Sequence, residues 1–319
     1  MPFPLPTVAR FPPRCPVCAG RRAEALAFGG GGVPGWRRCA YCGFALRHCT
    51  APRAGWRAFA SRLVPGPVRL PPFGAADWFA DAPALAIAAT RAGLAFLPAE
   101  GRPTGHAPRA PHGRLVPLGR FAPRPVTLVT LARAVAAHRL GPPDPSFAAG
   151  LLLVDADAVP DGLAPGWRAL ARPLSGDFAA QRDAAQDAAG TEWVFHLDAD
   201  EGLSPGLAAR LPRLAAVADA LGYDAVGLAR ENRVDGVPSD LFPDLQYRLV
   251  RRSARFVGHV HERPDACADW TRTLIALDGR IVHRLSAARI AAREAAYRAL
   301  GQEAARSADA RRLLAPYRP

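Results

Sequence analysis

Apolar residues fall along this chain in two regimes. From residue 126 onward they form short compact runs: VTLVTL at 126–131 directly after a proline, GLLLV at 150–154, and EWVFHL at 192–197. Runs of this length, rich in β-branched residues and without polar alternation, predict strands buried on both faces of a parallel sheet. Between the first two runs lies an Ala-rich piece that predicts a crossover helix. Between the second and third, GDFAAQRDAAQDAAG at 176–190 predicts a helix with Asp177 as its N-cap and Gly190 as its stop, Phe178, Ala185 and Ala189 sharing one face. After Ser286, a plausible cap, an Ala- and Arg-rich tract predicts a C-terminal helix with Glu294 and Arg298 at pairing distance.

Residues 50–124 show no such order. Prolines 65, 67, 71 and 72 break any long element, only 82–96 has the pattern of a short helix leading into a strand, and His106 and His112 fall in a Pro-rich stretch that reads as loop. Composition sharpens this division. The chain has 319 residues, a formal charge of +13, and no lysine, all 41 bases being arginine. Residues 1–125 hold 17 arginines against 4 acids, whereas 126–319 hold 24 of each. The whole excess therefore lies in the Pro-rich part. Four segments follow: 1–50, 51–122 as a linker or small irregular subdomain, 123–285, and a helical tail at 286–319. No apolar run reaches the roughly 18 to 20 residues of a bilayer span, and the opening MPFPLPTVARFPPR lacks the apolar block of a secretory signal. The expectation is a soluble cytoplasmic protein, with the basic part and the tail available for peripheral contact with the inner membrane.

Cys15 and Cys18 form one CxxC pair, Cys39 and Cys42 a second, 20 residues apart. Two such knuckles can close a tetrahedral Zn2+ site, and four thiolates leave no open coordination position, so the reading is structural. Arg21, Arg22, Arg37, Arg38 and Arg47, with Trp36 and Tyr41, keep a nucleic-acid ribbon open as an alternative for this segment.

The sharper chemistry follows the third run, which ends in Asp198-Ala199-Asp200-Glu201. Carboxylates two apart at a strand end project to one side and offer hard oxygen ligands to a divalent cation, leaving positions for phosphate and water. Asp155 and Asp157 close the 150–154 run in the same way, at the carboxyl end of a strand where α/β sheets bind their ligands.

With these motifs in view, the run GDFAAQRDAAQDAAGTEWVFHLDADEGLSP resembles the donor-binding segment of family-two glycosyltransferases of the GT-A fold. FPDLQYRLVRR at 242–252, FVGHVHE at 256–262 and IVHR at 281–284 resemble the subgroup that includes bacterial lipopolysaccharide-core glucosyltransferases. The resemblance covers roughly residues 123–300, with the motifs in order. It implies an α/β, Rossmann-like nucleotide-diphospho-sugar transferase domain behind a small zinc-knuckle segment. It implies Mg2+ or Mn2+ at Asp198 and Asp200, with His283 as a third ligand. Asp155 or Asp157 would meet the nucleoside of a UDP-sugar, and Arg182 would line the donor pocket. Arg248 and Arg251, in the segment after Gln246, would neutralise the departing diphosphate. Glu262, or second Asp244, would be the base of an inverting transfer to a glycan or glycolipid acceptor. The family's Asn after the helix Arg is replaced by Asp183, which adds a negative charge near the expected phosphate site. Under this reading no nucleic-acid partner is expected. One other class stays open, a zinc-ribbon adaptor for nucleic acid or protein carrying an inactive GT-A-like domain. Metal-dependent hydrolysis by Asp198, Asp200, His259, His261 and His283 is weaker, because no compact hydrolase motif links them.

Overall fold

A computed structural model describes residues 112–239, 241, 244–258, 262–268, 272–292, 311 and 313–316, together with strand residues 23–28, 31–39, 45–47, 66–69, 78–79 and 94–98. Cys15, Cys18 and Cys42, the side chain of Cys39, His259, His261 and the proposed Glu294–Arg298 pair lie outside the described residues.

The chain packs as two units, Met1–Phe121 with Val217–Tyr223 and Asp269–Asp278, and Ala122–Ala216 with Asp224–Ala268 and Gly279–Pro319. In the first unit, β1 (Ala23–Phe28), β2 (Gly31–Cys39) and β3 (Ala45–Arg47) form an antiparallel sheet closed by β5 (Trp78–Phe79), while β4 (Gly66–Arg69) and β6 (Leu94–Pro98) flank β7 (His112–Pro117). His112, expected in a loop, thus opens a strand and pairs with Arg69.

The second unit is built on a mixed sheet. Four of its strands are mutually parallel: β8 (Val126–Arg133), β9 (Ala149–Asp155), β10 (Trp167–Ala171) and β11 (Trp193–Asp198). Antiparallel to β11 runs β15 (Asp244–Arg251), followed by β13 (Ala225–Val234), β18 (Thr273–Leu285, of which Gly279–Leu285 belong to this unit) and β12 (Glu201–Leu203), with the short β14 (Val237–Pro238) on β13. A separate ribbon pairs β16 (Phe256–Val257) with β17 (Arg263–Pro264).

Strand order along the sheet begins β10-β9-β8-β11, so the first strand of this unit lies inside and the direction of winding reverses between β8 and β11. In open α/β sheets a crevice forms at such a reversal, outside the carboxyl ends of the strands. Here those ends are Arg133 and Asp198.

The apolar runs become strands because both faces are covered. Leu151 and Leu153 of β9 join Val129, Val194, Ala185 and Ala189 in one buried cluster, while Leu152 and Val154, pointing the opposite way, join Ala132 and Ala137 in another. The Ala-rich crossover is shorter than expected: α1 spans only Ala134–Ala137, because Pro142, Pro143 and Pro145 follow. Those prolines still pack, since a Cβ on Gly150 would lie 2.8 Å from Pro143 Cγ.

Helix α2 (Phe178–Ala188) is capped by Asp177, whose Oδ1 accepts the Ala180 N–H at 2.9 Å. Its buried positions are Ala179, Gln181, Arg182, Ala185 and Gln186, and Phe178, expected on one face with Ala185 and Ala189, is 37 % exposed while those two are buried. The inward stripe of α2 is half polar, which an apolar period cannot reveal. Helix α3 (Leu207–Ala220) follows β12, and Ser286 caps the helical turn after β18, its Oγ accepting the Arg289 N–H at 3.2 Å. No helix among the described residues is long and apolar enough to cross a membrane.

Candidate functional site

Asp198 ends β11 beside the β8 terminus, where the Ala199 N–H donates to the Leu131 carbonyl at 3.3 Å. The tight turn into β12 is held by its own acid: the Asp198 N–H donates to Glu201 Oε2 at 3.1 Å. Glu201 then pairs with His283 in the antiparallel β12–β18 ladder. In this way Asp198 at the end of β11, Glu201 of β12 and His283 of β18 converge on the reversal point of the sheet.

From there acids and bases alternate without a break. Glu262 Oε1 accepts from Arg182 Nε at 2.6 Å, and Arg182 Nη2 donates to Asp198 Oδ1 at 3.0 Å. Arg248 Nη2 donates to Asp198 Oδ2 at 2.8 Å and approaches Glu201 Oε1 at 3.4 Å. Arg230 Nη1 donates to the same Glu201 oxygen at 3.0 Å, and its Nε donates to Asp244 Oδ2 at 2.8 Å. Asp244 is further held by Asn232 Nδ2 at 3.0 Å and, through Oδ1, by Gln246 Nε2 at 2.7 Å. Asn232 Oδ1 meets His283 Nδ1 at 2.8 Å, and His283 Nε2 stands 3.5 Å from Asp200 Oδ2, which also accepts from Arg289 Nη2 at 2.9 Å.

Burial makes this arrangement consequential, since charges removed from water persist only when paired. The side chain of Glu201 is fully buried and that of Arg182 nearly so. Burial alone would raise the pKa of Asp198, but the guanidiniums of Arg182 and Arg248 outweigh it and hold the carboxyl far below its ordinary range. Asp244 behaves the same way: burial pushes up, Arg230 and the Asn232 and Gln246 donors pull down, and the result is a lowered pKa. Behind the cluster, burial followed by Arg182 and Arg248 keeps His196 neutral, its Nε2 3.2 Å from Gln186 Oε1. Two donors in this dense network, Arg182 Nη1 and Arg248 Nε, are buried without a hydrogen-bond partner among the described residues.

The structure therefore brings together Arg182, Asp198, Asp200, Asp244, Gln246, Arg248, Glu262 and His283. The expected set of Asp198, Asp200 and His283 is not assembled as one metal group, and among the described residues no three His, Cys, Asp or Glu side chains are placed to hold an ion. The reason is electrostatic, because both Asp198 oxygens already accept from guanidiniums. Asp200 and His283 remain as a pair.

Three expected residues stand elsewhere. Arg251 pairs with Trp193 across the ladder, at the start of β11, five residues and about 16 Å of strand from Asp198. There its guanidinium lies 5.0 Å over the Trp193 ring and bonds Glu192, so it does not belong to the cluster. Asp155 Oδ1 accepts the Leu174 N–H at 2.9 Å, a loop-holding role, and Asp157 is exposed beyond the end of β9. Asp183 accepts the Phe256 N–H at 2.9 Å. Sequence reasoning missed Glu201, Arg230, Asn232 and Arg289. The polar run Arg230-Glu231-Asn232-Arg233, after the apolar first half of β13, was the available signal, since a buried strand keeps polar residues only where partners wait.

No protein-family model matches the chain, and no curated protein matches it in sequence. Among solved structures, S. aureus TarS 1–349 in complex with UDP-GlcNAc is similar at 14% identity and a TM-score of 0.34, over 50% of this chain and 58% of that one. TarS 1–349 in complex with UDP gives 14% identity and a TM-score of 0.33, over 52% and 65%, and TarS 1–349 alone gives 12% and 0.33, over 51% and 60%. The chain thus spans about six-tenths of the length of these structures.

Proposed function

We propose that this chain is a glycosyltransferase of GT-A architecture that moves a sugar from a nucleotide-sugar donor, a UDP-sugar, to a cell-envelope glycan or lipid-linked acceptor, in the manner of the lipopolysaccharide-core subgroup. The observation that carries the reading is the buried acid–arginine chain at the reversal point of the sheet, with Arg182 Nη1 and Arg248 Nε left unpartnered among the described residues. Cleaving a sugar–diphosphate bond leaves charge on the departing phosphate, and preorganised cationic donors in a dry crevice are what stabilise it.

Within this reading the residues divide the chemistry among them. Asp198 anchors both guanidiniums, and Arg182 and Arg248 orient the diphosphate. Glu262 is the better base of the two acids, because among the described residues only its Oε1 is engaged, whereas Asp244 accepts from three side chains. Asp244 and Gln246 act as anchors. Asp200 and His283 fit a divalent cation as an oxygen and a nitrogen donor, the nitrogen weighting the choice toward Mn2+ over Mg2+. Such an ion would neutralise the leaving diphosphate and take its other ligands from phosphate and water. Inverting stereochemistry follows from Glu262 activating the acceptor hydroxyl directly. A structural Zn2+ at Cys15, Cys18, Cys39 and Cys42, and peripheral contact with an inner-membrane surface, complete the proposal.

Calorimetric titration of the full chain with UDP-sugars and Mn2+ tests it. Binding by the wild type, weakened by Asp200→Asn and by Arg248→Ala, is the expected result. Absence of binding across common nucleotide-sugars, or indifference to both substitutions, overturns the reading and returns the chain to the adaptor class.

A further inference from the structure

The hydrogen-bond capacity of Asn232 leaves little freedom in how its amide is turned. Its Nδ2 lies 3.0 Å from Asp244 Oδ2 and 3.2 Å from the Leu241 carbonyl, two groups that can only accept. The NH2 end must therefore face them, and the opposite end, Oδ1, faces His283 Nδ1 at 2.8 Å. An amide oxygen only accepts, so the hydrogen in that contact belongs to His283 Nδ1. Both residues are nearly inaccessible, Asn232 at 1 % and His283 at 5 %, so water does not offer a substitute partner.

Whatever the charge on the ring, Nδ1 carries a hydrogen. In the neutral imidazole the lone pair is then on Nε2, which faces Asp200 Oδ2 at 3.5 Å. That separation exceeds the roughly 2.7–2.9 Å of a charge-assisted hydrogen bond. It is near the spacing of two ligands on adjacent positions of one divalent cation, roughly 3 Å for metal–ligand bonds of about 2.1 Å. Asp200 Oδ2 also accepts from Arg289 Nη2 at 2.9 Å, and a cation that displaced this exposed side chain would turn the repulsion between the facing lone pairs into ligation.

From this geometry we infer that Asn232, itself held by Asp244, is a positioning residue that fixes the Nδ1–H tautomer of His283 and so presents Nε2, together with Asp200, to a divalent cation. The inference rests on the cation reading of Asp200 and His283. It adds a reason why a buried β13 strand carries an asparagine. It also gives Asp244 a further role, since by accepting from Nδ2 that carboxylate forbids the flipped amide.

Two measurements on the full chain test it without recourse to activity. Long-range 15N NMR of the metal-free protein, with the His283 signal identified by its loss in His283→Gln, is expected to show a protonated Nδ1 and an unprotonated Nε2 at mildly alkaline pH. A protonated Nε2 in the wild type overturns the inference, with no mutant required. In the second, Mn2+ binding followed by electron paramagnetic resonance is expected to weaken about 10- to 100-fold in Asn232→Leu, the range usual for loss of a group that orients a ligating histidine. In Asn232→Asp, which keeps an acceptor for Nδ1, the His283 tautomer is expected to survive. If Asp200→Asn and His283→Gln weaken Mn2+ binding while Asn232→Leu leaves it unchanged, the positioning role fails and the cation site stands. If neither ligand substitution affects Mn2+ binding, the cation reading itself fails.

Discussion

Asp244 shows how much one residue carries in a buried charge chain. It is the terminal acid, and it neutralises Arg230, orients Asn232 and accepts from Gln246. Removing its charge leaves buried Arg230 to share Glu201 with Arg248, so Asp244→Asn is expected to cost about 3 kcal/mol at neutral pH. The pH dependence has a definite sign. Because the folded-state pKa is lowered from the ordinary 3.8, the contribution is complete above that value and is lost as pH falls through the lower folded value. Urea midpoints should therefore separate wild type from Asp244→Asn most at neutral pH and converge in acid, and a gap independent of pH would contradict the assignment. At this scale the sequence disclosed the acids and arginines that sit in motifs, Asp198, Asp200, Arg182, Arg248 and Glu262. It concealed their pairing. Arg248 and Arg251 look equivalent in a string, but three residues of β15 send one to the cluster and the other to the opposite end of the sheet. Glu201 was visible beside Asp200, yet only the β12–β18 register turns it into the buried counter-ion of two arginines.

Among elements, the helical turn following Ser286 has the clearest mechanical consequence. Ser286 caps it, Ile290 and Leu285 bury together with Val234 and Leu313 against them, and Arg289 is thereby carried to Asp200. Its side chain, 54 % exposed, places the guanidinium on the oxygen that a divalent cation would use. Arg289→Ala is therefore expected to tighten Mn2+ binding, by up to about fivefold given the modest worth of an exposed ion pair. Weaker binding in that variant would show that Arg289 supports the site rather than competing for it. The elements differ in how legible they were for a physical reason. Strands β8, β9 and β11 and the capped α2 were readable because continuous apolar runs and a side-chain cap are local properties of the string. Strand β13 was not, because polar residues aimed at the site interrupt its apolar pattern and its pairing with β15 shifts register between Val226 and Gly227. The crossover after β8 failed in the other direction, since its alanines suit a helix that the following prolines cut to one turn.

For the whole molecule, the division of charge predicts two separate kinds of anion binding under the proposed function. Residues 1–125 carry the entire excess of +13, and the remainder is balanced. Within the balanced part the arginines of the cluster are already matched by buried acids, so the proposed nucleotide-sugar would be recognised by geometry at a few hydrogen-bond donors rather than by net charge. The basic part offers the opposite, many unspecific charges whose attraction is screened beyond about 10 Å at moderate ionic strength. The two should therefore respond independently. Sedimentation of the full chain with phosphatidylglycerol vesicles is expected to be strong at low salt, to fall steeply as salt is raised, to be absent with phosphatidylcholine, and to be unchanged in Asp200→Asn. Nucleotide binding should show the reverse, sensitive to Asp200→Asn and only weakly to salt. Competition between saturating UDP with Mn2+ and the vesicles would place both anions on one surface and would refute the separation. Vesicle binding that ignores lipid charge would instead remove the electrostatic role assigned to the arginine excess.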